Sequence, residues 1–78
     1  MHAAAWDIDE QGTVVGVMES ADGRDYAFRY DGRRVERLDD LPHPPGWRLE
    51  SAYAIGTDGA VAGIGTYRGI PTAYLWRP

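Results

Sequence analysis

Apolar residues come along this chain in short runs punctuated by glycine, and no stretch holds a helical period. Trp6 and Ile8 alternate with Asp7, and Asp9-Glu10-Gln11-Gly12 then forms a tight connection whose glycine supplies a positive φ. Residues 13–19 (TVVGVME) read as a second strand and 26–30 (YAFRY) as a third, with a loop over 20–24 between them. Asp31-Gly32 is the clearest turn signal. Taken as a two-residue type I′ loop, it predicts Tyr30 opposite Arg33, Arg29 opposite Arg34 and Phe28 opposite Val35. One face would then carry Tyr26, Phe28, Tyr30, Arg33, Val35 and Arg37, and a fourth strand over 33–38 would end at Asp39-Asp40. Residues 41–47 (LPHPPGW), with three prolines and a glycine, serve only to connect.

The pattern then starts again. IDEQGTVVG at 8–16 returns as IGTDGAVAG at 55–63: Ile8 matches Ile55, Gly12 matches Gly59 and Gly16 matches Gly63, each at an offset of 47. Ala5-Trp6 maps onto Ala52-Tyr53 at the same offset. Ala27-Phe28-Arg29-Tyr30 maps onto Ala73-Tyr74-Leu75-Trp76 at an offset of 46, so a loop has lost one residue in the second unit. The chain thus divides into a four-stranded unit over 3–41, a connector over 42–50 and a three-stranded unit over 51–78.

Four-stranded units recurring at roughly 40–50 residues are the signature of propeller blades. Blades bury both faces against neighbours, which accounts for the weak polar alternation in GTVVGV. Closure takes about four to eight blades, and this chain supplies fewer than two. The expectation is an all-β chain of two blade-like antiparallel β-sheet repeats that completes a β-propeller by homo-oligomerisation. A trimer of six blades comes first, a tetramer or a dimer next. A small β-sandwich or barrel is the alternative.

Composition pushes the same way. A chain of 78 residues buries only about 60% of its unfolded surface and needs some further support. It has no cysteine, which removes disulfides and thiolate metal sites, and only His2 and His43 as imidazole ligands. Association is what remains. A net charge of −4 argues against nucleic acid and anionic membranes as partners. No apolar run approaches the roughly 20 residues of a membrane span, and no signal-peptide pattern precedes the first strand.

The segments AAWDIDEQGTVVG with YAFRYDG, and SAYAIGTDGAVAG with TAYLW, resemble the HAF-type tandem β-repeats of bacterial proteins. Tyr26 and Thr72 stand where the family's naming triplet begins with His, and Gly56 stands where it carries Asn or Asp. The resemblance implies propeller-like tandem repeats of exported origin. It implies no activity, because the shared positions are turn glycines and apolar residues.

Candidate chemistry is thin. Asp7-x-Asp9-x-x-Gly12 has the outline of a calcium loop but lacks the further oxygens, and the second unit has Ala54 and Gly56 in place of the carboxylates. A polar turn is the plainer reading. Arg24, Arg29, Arg33, Arg34 and Arg37 cluster with Tyr26 and Tyr30, but Asp25, Asp31, Glu36, Asp39 and Asp40 balance them. Cross-strand ion pairs and arginine–aromatic packing therefore outweigh phosphate binding. No spacing pairs Ser20 or Ser51 with His43 as nucleophile and base. No catalytic, cofactor or metal residue is assigned, and the chain is read as a non-enzyme.

Trp47 stands apart: it lies outside the repeat, beside His43 and Arg48, and these three are the candidate contacts for a ligand or partner. The structural reading of Trp47 is a lid over the end of a sheet. Three functions stay open: a self-assembling interaction scaffold, a carbohydrate-binding lectin-like propeller, and a fragment of a larger secreted repeat protein.

Overall fold

The computed structural model describes residues 2–78. Its strands are β1 (Ala3–Ile8), β2 (Val14–Glu19), β3 (Asp25–Tyr30), β4 (Val35–Arg37), β5 (Trp47–Ile55), β6 (Val61–Tyr67) and β7 (Ile70–Trp76), with one 3₁₀ turn at Leu38–Asp40. They form two antiparallel sheets, β1-β2-β3-β4 and β5-β6-β7. The chain is all-β, and neither sheet closes into a barrel.

The repeat is visible in the loops. Asp9–Thr13, Ser20–Arg24 and Gly56–Ala60 each close in one way: the first residue's N–H reaches the fifth residue's carbonyl, and a positive-φ glycine at the fourth position donates back to the first. This is a turn with a glycine bulge, which suits the right-handed twist of the flanking strands. The second unit's lost residue falls between β6 and β7. There the three-residue loop of the first unit becomes a two-residue turn, Arg68-Gly69, with positive φ at both positions.

The type I′ turn is therefore at Arg68-Gly69 and not at Asp31-Gly32. The Asp31 carboxylate accepts from the N–H groups of both Arg33 and Arg34, which draws four residues into the loop. The register consequently moves by two: Tyr30 faces Val35, Arg29 faces Glu36 and Phe28 faces Arg37. A two-residue shift keeps every side chain on its face. It exchanges an Arg–Arg neighbour pair for the Arg29–Glu36 ion pair at 3.1 Å, and Arg33 leaves the sheet. The connector is also shorter than expected, because β5 begins at Trp47 once Pro42, Pro44, Pro45 and Gly46 are passed.

Each sheet has a glycine under an aromatic ring. A Cβ on Gly16 would overlap the Ala4 carbonyl oxygen and lie 2.8 Å from the Phe28 ring; a Cβ on Gly63 would overlap the Ser51 carbonyl oxygen and lie 2.6 Å from the Tyr74 hydroxyl. These are matched repeat positions. The first strand of each sheet also carries a bulge at the matched position, between Ala5 and Asp7 in β1 and between Ala52 and Ala54 in β5.

β5 is the strand of the second sheet that approaches β1, β2 and β3. Val15 and Ala27 from the first sheet, and Leu49, Ala52, Val61, Tyr74 and Trp76 from the second, form the core around a fully buried Leu38. Phe28 is buried on the opposite side of the first sheet, outside this cluster. Two carboxylates cap N–H groups of β5: Asp7 Oδ2 accepts from Ile55 N at 2.9 Å, and Asp39 Oδ1 from Leu49 N at 2.8 Å. Asp7→Ala is expected to cost about 1–3 kcal/mol in urea unfolding, since it orphans a partly buried donor. Asp7→Asn, which keeps an acceptor oxygen, should recover part of that loss.

Candidate functional site

The connector folds back across the end of the second sheet, because Trp76 Nε1 donates to the Pro42 carbonyl at 3.1 Å. Between them lies a mainly apolar cleft of about 290 Å³, with Pro42, His43, Trp47, Tyr74, Trp76 and Arg77 in its walls. His43 is held in place: Nδ1 lies 2.9 Å from the Pro44 carbonyl and Nε2 lies 3.2 Å from the Asp39 carbonyl.

Of the three candidate contacts, the fold brings His43 and Trp47 into this cleft and sends Arg48 elsewhere. Successive side chains of a strand point to opposite faces. Arg48 reaches the Asp25 carbonyl at 3.2 Å and Glu50 at 3.5 Å, beside a polar hollow shared with Arg37 and Tyr26. Trp47 is half-buried, its ring 5.1 Å from that of Tyr67 and 6.3 Å, edge-on, from that of Tyr74. That is a lid's position, with neighbouring rings against it. Tyr74 and Trp76 are the cleft residues that the sequence offers only as repeat matches of Phe28 and Tyr30. Their repeat positions marked them as aromatic, but nothing local announced that the connector would come to rest beside them.

Burial, with the Asp39 carboxylate and then Tyr53 behind it, pushes the Tyr74 phenol well above its ordinary value. Its hydroxyl donates to the Ser51 carbonyl at 2.7 Å. The fold thus holds Tyr74 neutral where an unfolded tyrosine ionises. Its contribution to stability is complete below about pH 10, the unfolded value, and is lost as the pH rises toward the folded value. In unfolding followed from pH 7 to 12, the unmodified chain is expected to lose stability above about pH 10, and Tyr74→Phe to flatten that decline.

Many of the other carboxylates and arginines are engaged locally. Asp9 Oδ1 accepts from the N–H groups of Gln11 and Thr13, and Asp7 from those of Ile8 and Ile55, so the two side chains do not converge on an ion. Among the described residues no three His, Asp or Glu side chains come together as a metal-binding group. Arg37 lies 4.1 Å over the Tyr26 ring, and Arg29 lies 5.2 Å over Trp76 while paired to Glu36. Ser20 bonds Asp22 and the Arg24 carbonyl. Hydrogen bonds from Arg33 and Arg34 on Asp31, from the Ser20 hydroxyl and Arg24 on Asp22, and from Ala60 on Asp58 hold these turn carboxylates below their usual range.

The open sheet surfaces are the other candidate site. Trp6 and Tyr53, at the two matched bulges, are both exposed, with ring centres 5.8 Å apart. Ile8, Tyr30 and Val35 are exposed on the first sheet, and Ile64, Ile70 and Leu75 on the second. Comparison with known protein families, characterised proteins and solved structures returns no match to this chain.

Proposed function

We propose that the chain is a non-catalytic β-repeat interaction module whose open sheet faces are covered by other copies of itself. The observation that carries this is the exposure of large apolar side chains on both sheets: Ile8 is 60% exposed, Leu75 59%, Val35 51% and Ile64 47%. Monomeric proteins seldom leave apolar patches of this kind in water, and such patches mark interaction surfaces. The likeness to HAF-type repeats and the doubled blade-like unit support the same reading. A propeller-like ring of three chains is the assembly it favours, since a cyclic arrangement repeats one interface until it closes.

Carbohydrate binding in the cleft beside His43 and Trp47 is the second reading, and the cleft itself is what favours it. It is the weaker one, because a sugar needs a free aromatic face and the Trp47 ring lies against Tyr67 and Tyr74. Molar mass by light scattering over a hundredfold dilution separates the two. Self-assembly predicts a mass near three times 8.6 kDa that falls on dilution. A compact, cooperatively melting species at the single-chain mass throughout would end the scaffold reading.

A further inference from the structure

The two sheets inside one chain meet by unlike faces. The first sheet offers the side that carries Val15, Val17, Ala27 and Arg29; the second offers the side that carries Ala52, Val61, Tyr74 and Trp76. In repeat positions, the second set corresponds to Ala5, Val14, Phe28 and Tyr30, which lie on the far side of the first sheet. The first set corresponds to Ala62, Ile64, Ala73 and Leu75, which lie on the far side of the second. Val15, Ala27, Ala52 and Val61 are fully buried, whereas Tyr30, Ile64, Ala73 and Leu75 are exposed and, of the eight far-side residues, only Phe28 is buried. The open surfaces of the chain are therefore the two halves of its own internal joint, held apart.

The geometry points to head-to-tail docking of a second copy, whose first sheet sits on the second sheet of its neighbour as the two sheets sit within one chain. This deepens the self-association reading and rests on it. Chemistry at the matched positions agrees. Where the internal joint sets Arg29 beneath Trp76, the joint between copies sets Leu75 beneath Tyr30, apolar against apolar. Where the internal joint needs Asp7 Oδ2 to accept from Ile55 N, the joint between copies presents Ala54 and Ile8. The Ile8 N–H needs no new partner, because it already donates to Asp7 Oδ1 at 2.9 Å. One carboxylate serves the N–H groups at both matched positions, so stacking a further copy orphans no donor there. The exposed Trp6–Tyr53 pair would extend from copy to copy in the same step.

Two blocked variants test this. Ile8→Glu/Tyr30→Glu closes the head surface and Ile64→Glu/Leu75→Glu closes the tail; all four side chains are exposed, so each variant should keep its fold by circular dichroism. Light scattering is expected to show each alone at 8.6 kDa and an equimolar mixture at about twice that, since the mixture joins one good tail to one good head and cannot grow. A mixture that stays at the single-chain mass while the unmodified chain assembles would overturn head-to-tail docking. Assembly abolished by only one variant would overturn it too, and leave self-association standing through like faces. An unmodified chain that never assembles would remove both readings. If a double variant fails to fold, Ile8→Glu and Leu75→Glu singly give the same comparison.

Discussion

Gly63→Ala is expected to cost about 3 kcal/mol in urea denaturation, the upper part of the usual overpacking range. A chain of this size has about 4–12 kcal/mol of stability in all, so a large share would go. The added methyl meets two neighbours of different stiffness. The Tyr74 ring could turn aside at some cost, but the Ser51 carbonyl belongs to β5, whose bulges and pairing with β6 fix its path. Gly16→Ala repeats the collision with the Ala4 carbonyl, yet there the ring is Phe28, on the open side of the first sheet, where it can lift into solvent. Gly63 should therefore be the more sensitive of the two. Adding Tyr74→Ala to Gly63→Ala should give no full rescue, because the backbone oxygen stays in place. Equal and small losses at both glycines would mean that the ring-over-glycine contact does not hold the sheets.

Leu38→Ala is expected to lose about 2–5 kcal/mol, the range for emptying a fully buried aliphatic site. Leu38 has no accessible surface, and it sits in the 3₁₀ turn that follows β4, in the same cluster as Val15, Ala27 and Trp76. Its removal should loosen both sheets at once, so near-ultraviolet circular dichroism and unfolding by denaturant should report the same midpoint. Leu38→Met, close in volume, should cost under about 1.5 kcal/mol. A Leu38→Ala chain as stable as the original would show that the two units are held together elsewhere.

Much of this architecture was legible in the residues. The matched glycines at 12 and 59 and at 16 and 63 gave the doubled unit, and the change of offset from 47 to 46 put the deletion in the loop that the Arg68-Gly69 turn replaces. What could not be read was decided by side chains acting on backbone. Asp-Gly ordinarily signals a two-residue hairpin, but Asp31 reaches forward to two N–H groups and overrules it. The start of β5 lay hidden behind prolines. Neither could pattern show which side of each sheet meets the other, because Val14 and Val15, or Val61 and Ala62, are apolar on both sides. As for the cleft, Trp47 and His43 drew notice as odd residues in a connector. Tyr74 and Trp76 became their neighbours only through the fold-back sealed by the Pro42 carbonyl.

The ring lying over a bare backbone has a consequence for recognising kin. Gly16 and Phe28 stand twelve residues apart and Gly63 and Tyr74 eleven, yet the two couples occupy one geometry, because the hairpin between them absorbs the difference. Ancestry in chains of this build is therefore better traced by couples whose gap can stretch than by a string of fixed length. A lineage free to trade one hairpin for another would still have to hand down each glycine together with its aromatic companion.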